Sequence, residues 1–341
     1  MHPPDPNPDS LSDDPLLPLL HVLADGQPRS VTSIALLIGG TEESIERGLA
    51  ALAGAGLRLV HDNQRVACKA FAALDALAIE TACVEHSLPA DVHVVALTDS
   101  TNSRLLDAAR ANLLNSSATI LATELQSAGR GRMGRTWHSA PGSSLTVSFA
   151  FMLERGTAEL SGLPLACGLA ARDALLRHGV DAELKWPNDL LAGAGKVGGI
   201  LVEIHAPNRH RSIVVVGVGL NVYADAERAH ALSNRESALP STDLVAAGAK
   251  QPLDRNRLIG DLAECLSSRL AKFATDGFEP MVSAWNAAHA FQDLEVSLIE
   301  GGTTLVRGIA RGADTLGRLQ VETPEGMRTV VVGDISVRSV A

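Results

Sequence analysis

The sequence is poor in aromatic residues, with six Phe, three Trp and one Tyr among 341 positions. A dense core therefore has to be assembled from Leu, Val, Ile and Ala. Cysteine is also scarce. Cys68, Cys83, Cys167 and Cys265 are far apart and form no CxxC or Cys/His pattern. That excludes a disulfide scaffold and a cysteine-built zinc site, and predicts reduced thiols in a cytoplasmic protein. Long hydrophobic runs are missing: Ile213–Leu220 is far shorter than the ~20 residues that cross a bilayer, so no membrane partner is expected. The opening MHPPDPNPDSLSDDP places acids and prolines where a secretory leader needs a basic residue ahead of an apolar stretch. Positive charge is in deficit, with 29 Lys and Arg against 39 Asp and Glu and a net charge of −10. This argues against a chain coated with nucleic acid.

What is present is 46% hydrophobic and 20% charged, a globular composition long enough for about two or three domains. The pattern reads as α+β. Residues 1–14, rich in Pro and Asp, are expected to form a disordered tail. Residues 15–70 predict helices over Leu16–Ala24, Val31–Ile38 and Glu42–Ala53, the last capped by Thr41. Ile45, Leu49 and Leu52 give that helix one apolar face. Two short alternating segments follow, Leu57–Val60 and Gln64–Cys68. Helix–helix–turn–helix–wing is the order of a winged helix-turn-helix domain. A linker helix over 70–86 lies in a connecting region, 71–91. Residues 92–290 mix strands with helices. Strands are expected at 92–97, 119–124, 143–153, 183–187, 197–204 and 212–222, the last two as an antiparallel pair. Helices are expected at 102–114, 161–178, 254–275 and 278–289. Residues 291–341 hold five short strands separated by glycine turns, the pattern of an SH3-like β-barrel.

Four segments carry chemistry. Gly129-Arg130-Gly131-Arg132-Met133-Gly134-Arg135 combines glycines that permit φ > 0 and close backbone approach with guanidinium forks suited to carboxylate and phosphate. Arg130 and Arg132 would share a face if the loop were extended. A solvated basic loop explains the segment as well. Trp137 is placed to stack on a base or to anchor the next strand. Lys185-Trp186-Pro187-Asn188-Asp189 delivers an amide and a carboxylate at a strand tip, and is also ordinary turn chemistry. Lys196-Val197-Gly198-Gly199 suggests a close approach of a ligand or backbone to a strand, with Lys196 open to the plainer reading of an edge guard. Asp99-Ser100-Thr101-Asn102 fits a helix N-cap and also presents small donors and acceptors.

Taken together and in order, TDSTN, ELQSAGRGRMGR-W, LKWPND, KVGGILVE and VGVGLNV resemble bacterial biotin–protein ligases over 95–222. The domain order resembles those ligases that also repress biotin synthesis genes. The resemblance implies a central mixed sheet with helices, related to class II tRNA-synthetase domains. It implies biotin and ATP as substrates, with Mg2+, and a carboxylase biotin carrier domain as acceptor; homodimerisation and operator DNA enter as further partners. It assigns Ser100, Thr101, Asn102 and Gln126 to the ureido and thiophene end of biotin. Lys196 falls beside the biotin carboxylate, and Gly199 at a backbone contact. Arg130 and Arg132, with Gly129, Gly131 and Arg135, belong to the loop that closes over the adenylate, Arg130 touching biotin as well. Trp137 packs near adenine, and Asn188 and Asp189 lie on the phosphate side. Lys196, Arg130 and Arg132 are the implied catalytic residues; no metal ligands are assigned.

The chemistry asks for these residue types. A carboxylate attacking the α-phosphate of ATP brings two anions together, and in a closed site their repulsion is severe. Arginine forks, a lysine and Mg2+ offset it. The mixed anhydride hydrolyses readily, so a loop should close over it. No nucleophilic side chain is required. One region departs from the family pattern. Residues 1–68 contain no lysine, and Arg29, Arg47, Arg58 and Arg65 face nine acids, with Glu42, Glu43 and Glu46 at the start of the expected reading helix. Acids there oppose phosphates, so operator binding is expected to be weak or absent. A biotin-sensing regulator and a lipoate-type ligase on the same fold are the competing readings.

Overall fold

The computed structural model describes residues 11, 14–114, 116–193, 195–225, 240–300, 303–331 and 335–339. The disordered tail expected over 1–14 lies outside these residues except at Leu11 and Asp14. Asp14 is tied to the folded chain. Its carboxylate accepts the peptide N–H groups of Leu16 and Ala96.

The N-terminal unit runs α1 (Leu17–Ala24), β1 (Arg29–Ser30), α2 (Val31–Ile38), α3 (Glu42–Gly54), β2 (Leu59–Asp62) and β3 (Arg65–Cys68). Gly39 leaves α2 in the left-handed region at φ 72°. Thr41 then caps α3, trading hydrogen bonds with Ser44. Ile45, Leu49 and Leu52 are buried as their spacing requires, together with Leu19, Leu20, Leu23 and Ile34. The β2–β3 hairpin turns on Asn63 and Gln64, both left-handed, as a two-residue hairpin loop of this kind demands. The pairing of β1 with β3 was not legible in the sequence, because two residues carry no periodicity.

The central sheet is built from β4 (Asp91–Thr98), β5 (Ala118–Gln126), β6 (Ser144–Leu153), β7 (Glu183–Lys185), β8 (Asp189–Ala192), β9 (Gly195–Asn208) and β10 (Arg211–Asn221). Its order is β4-β5-β6-β10-β9-β8-β7, with β4–β5 parallel and every other pair antiparallel. One face is covered by α4 (Ala76–Glu85), α6 (Leu163–Arg177) and α7 (Arg255–Asp276). The other is covered by α5 (Thr101–Arg110), whose Leu105, Leu106 and Ala109 pack on Leu121, Ala150 and Val215. Ala96 and Leu125 of the sheet also join the core of the N-terminal unit. After α8 (Val282–Ala287), strands β11 (Glu295–Glu300), β12 (Thr303–Ala313), β13 (Leu319–Thr323), β14 (Gly326–Val330) and β15 (Ile335–Ser339) form an antiparallel sheet ordered β14-β13-β12-β11-β15.

Several elements are shorter than their patterns suggest. The linker helix begins at Ala76. The backbone ahead of it is held extended by the buried Arg255–Glu124 pair, which binds the Ala72 carbonyl and the Leu74 N–H. Helix α5 ends at Arg110, and Asn112 follows at φ 55°. The helix expected over 278–289 is a 3-10 turn, Glu279–Met281, with Pro280 in its first turn, followed by the short α8. Strand β7 stops at Lys185, two residues before Pro187. No helix among the described residues is long and apolar enough to cross a membrane.

Candidate active site

The sheet order brings motifs far apart in sequence around one cleft of about 210 Å3. Of the fourteen residues singled out from the sequence, all but Gly129 line it; Gly129 faces a shallower hollow behind the loop.

The N-terminus of α5 forms one end. Ser100 is the N-cap, accepting Ser103 N–H, so the capping reading of this residue holds. The Thr101 N–H donates to Gln126 Oε1 at 2.9 Å. The Ser148 hydroxyl, reaching in from β6, lies 2.7 Å from Thr101 Oγ1 and 2.5 Å from Asn102 Oδ1. Asn102 Nδ2 donates to the Leu201 carbonyl at 3.1 Å and to Glu203 Oε2 at 3.0 Å. Both amide hydrogens are thus taken, and Asn102 can offer a ligand only the remaining acceptor capacity of Oδ1. Gly217 is required beside it: a Cβ there would fall 2.3 Å from Asn102 Oδ1. Ser148 and Gly217 sit inside strand patterns, where nothing local marks a site.

The Gly/Arg loop is folded rather than extended. Gly131 N–H donates to the Arg135 carbonyl, Arg135 N–H to Arg132 and Trp137 N–H to Gly129. These three amides are spent within the loop. Among the loop glycines only Gly134 has positive φ, and Met133 shares it. Gly129 serves close approach, since a Cβ would lie 2.4 Å from the Trp137 carbonyl oxygen. Arg130 and Arg132 diverge instead of sharing a face. Arg130 reaches Ser103 Oγ at 2.8 Å and pairs with Glu203; Arg132 reaches Asn188 Oδ1 at 3.4 Å. The Trp137 indole lies against Gly219, where a Cβ would be 2.6 Å from Cε2, and its Nε1 donates to Thr146.

The β7–β8 turn makes the charged end. Trp186 is buried, its indole N–H donating to the carbonyl of Gly317 in the β12–β13 turn. Asn188 is pinned to β9 by Nδ2 donating to the Ile200 carbonyl at 2.9 Å. Asp189 accepts from Lys196 Nζ at 2.5 Å and from Lys185 Nζ at 3.2 Å. Burial alone would push the Asp189 carboxyl up; Lys196 and Lys185 overcome this and hold it below its ordinary value. Lys185, in the motif but given no role from the sequence, is therefore half of a two-lysine clamp. Lys196 is the more accessible cation, 33% exposed against 9% for Lys185. Gly198 allows strand contact, its Cβ position being 2.4 Å from the Gly219 carbonyl oxygen, whereas Gly199 meets nothing closer than 3.4 Å and faces the cleft. Among the described residues no three His, Cys, Asp or Glu side chains converge, and Asp189 is engaged by two ammonium groups.

Residues 94–221 match the Biotin/lipoate A/B protein ligase family, and residues 295–338 match the Biotin protein ligase C terminal domain. The chain is 32% identical to the Bifunctional ligase/repressor BirA of Salmonella typhimurium over 326 residues, 95% of this chain and 97% of that protein. It is 36% identical to the Biotin--[acetyl-CoA-carboxylase] ligase of Mycobacterium tuberculosis, over 71% of this chain and 87% of that one. The biotin protein ligase of Aquifex aeolicus, solved in complex with biotin and ATP, superposes with a TM-score of 0.58 at 27% identity, over 73% of this chain and 99% of its own. With its motifs gathered in one cleft and this similarity running nearly end to end, the chain belongs to the biotin–protein ligase family.

Proposed function

We propose that this protein is an ATP-dependent biotin–protein ligase that forms biotinyl-5'-adenylate and passes biotin to a lysine of a carboxylase's biotin carrier domain. The observation that carries this reading is the clamp of two lysines on one buried carboxylate, set beside a neutral polar pocket and opposite Arg132. An anionic substrate with a polar, uncharged head suits such a cleft.

In the first step a carboxylate oxygen of biotin attacks the α-phosphorus of ATP, and the bond to the departing diphosphate breaks. In the second the acceptor lysine's amine, having lost a proton, attacks the acyl carbon and AMP leaves. Ser100, Thr101, Asn102 and Gln126 are assigned to the head of biotin, and Lys196 and Gly199 to its carboxylate end. Arg132, Arg135, Asn188, Asp189 and Trp137 are assigned to the nucleotide, with Gly129, Arg130 and Gly131 shaping the loop over it. Asp189 orients Lys196 until the substrate carboxylate arrives. Mg2+ belongs to the nucleotide substrate.

The finer architecture is part of the same reading. Residues 15–70 are taken as a winged helix-turn-helix domain, supported by the α2–α3 turn and the β2–β3 hairpin, and 71–91 as linker. Residues 92–290 are taken as a class II synthetase-like catalytic domain and 291–341 as an SH3-like barrel. Cytoplasmic residence is supported by four free, buried cysteines, the thiol of Cys167 pushed up by burial to about 12. Biotin-dependent exchange of diphosphate into ATP, followed by biotin transfer to a carrier domain, tests the reading. Biotin binding without exchange would turn it into a sensor, and exchange with lipoate but not biotin into a lipoate ligase.

A further inference from the structure

Glu203 on β9 does not line the cleft; it faces the hollow behind the Gly/Arg loop. Yet its two carboxylate oxygens hold two cleft residues at once. Oε2 accepts from Asn102 Nδ2 at 3.0 Å, and Oε1 accepts from Arg130 Nη2. Arg130 Nη1 in turn donates to Ser103 Oγ in the first turn of α5. One carboxylate therefore joins the buried head of the pocket, the start of the loop and strand β9.

The Arg130 guanidinium is paired with an anion before any substrate arrives. A paired guanidinium has less attraction left for a phosphate, and its planar fork is well suited to fixing geometry. Asn102 has a parallel dependence: its carboxamide orientation is set by Ser148 on the oxygen side and by Leu201 and Glu203 on the nitrogen side.

We propose that Glu203 is a positioning residue that couples the biotin end of the cleft to the Gly/Arg loop, holding Asn102 with one oxygen and Arg130 with the other. This rests on the ligase reading above. Arg130 accordingly anchors the loop.

Glu203→Gln keeps an acceptor for Asn102 and removes the charge that holds Arg130. It should leave the KM for biotin within about twofold and raise hydrolytic escape of the adenylate, measured without acceptor, by about tenfold. Glu203→Ala removes both contacts and should also raise the KM for biotin by about tenfold. In an Arg130→Ala background Glu203→Gln should add nothing, because the interaction it breaks is already gone. Trypsin, which cuts after arginine, should cleave the loop at Arg132 and Arg135 faster in Glu203→Gln than in the unaltered protein, with no change in melting midpoint. The proposal is overturned if Glu203→Gln behaves as the unaltered protein, if its effect persists in the Arg130→Ala background, or if every effect follows a lowered melting midpoint. An unaltered protein without biotin-dependent exchange would refute the ligase reading, and loop cleavage would then decide the role of Glu203 by itself.

Discussion

Two surfaces of this protein that the proposed reading sets against phosphate carry opposite charge. In the cleft, Lys185 and Lys196 outnumber Asp189, and Arg132 extends toward Asn188. On α3, Glu42, Glu43 and Glu46 are exposed with Arg47 among them, and Glu42 accepts a hydrogen bond from Thr32. Acids at the start of a helix favour the helix itself, so α3 is well made as a helix and poorly made as a reader of DNA. The lesson is that a fold can be kept by its buried face while its exposed face loses, or never has, the charge that a ligand needs. Ile45, Leu49 and Leu52 depend only on the core. In the cleft, by contrast, the charged side chains contact one another, so fold and ligand chemistry are tied together.

The strongest way to break the contrast is to remove the accessible cation of the cleft. Lys196→Ala should lower the rate of biotin-dependent diphosphate exchange by about two to three orders of magnitude, roughly 2–4 kcal/mol of transition-state stabilisation. Circular dichroism should remain that of the folded protein. Exchange near the original rate would remove Lys196 from the reaction. Next in size, Arg132→Ala should let adenylate escape about tenfold faster, in line with the loss of one charged hydrogen bond. The loop from Gly129 to Arg135 should also be cut by trypsin more slowly when biotin and ATP are bound. Equal cleavage with and without substrates would argue that the loop does not close.

The contrast can also be sharpened from the other side. The protein loaded with biotinyl-adenylate should show no sequence-specific footprint on DNA upstream of biotin synthesis genes at physiological salt, with sedimentation run in parallel to read whether it pairs. Glu43→Lys with Glu46→Lys should raise non-specific DNA affinity and steepen its salt dependence by up to about two in the log–log slope. Nanomolar, specific binding by the unaltered protein would show that bases outside α3 read the groove. The smallest effect concerns pH. The Asp189 carboxyl is held below its ordinary value of 3.8. Its ion pairs therefore contribute fully above that value and are lost only as pH falls through the lower, folded one. Titration of Asp189 should leave exchange unaltered from pH ~7 to ~5. An acid limb in that range that disappears in the still-active Asp189→Asn would contradict the clamp.

Much of the site was legible because its motifs are local. Gly129–Arg135, Lys185–Asp189 and Lys196–Gly199 each combine residue types with a spacing that chemistry rather than packing explains. The helices of the N-terminal unit and the five strands of the C-terminal sheet followed from periodicity and turn residues. What was not legible depends on pairing across distance. Glu203 is 73 positions from Arg130, and Ser148 is 46 from Asn102. Gly217 and Gly219 read as strand residues until Asn102 and Trp137 are laid against them. An extended loop would have set Arg130 and Arg132 on one face, but the folded loop turns one toward β9 and the other toward the β7–β8 turn.

By itself the amino-acid sequence determined which of the longer segments become helix or strand, which faces are apolar, and which short motifs carry charge and glycine, because these follow from backbone sterics and from burial over a few residues. The tertiary structure alone decided that two lysines share Asp189, that Arg130 is paired with Glu203, and that Asn102 has spent its donors. Those outcomes depend on the sheet order β4-β5-β6-β10-β9-β8-β7 and its register. Coulomb and hydrogen-bond energies act on distances in space, which the order of residues along the chain does not contain.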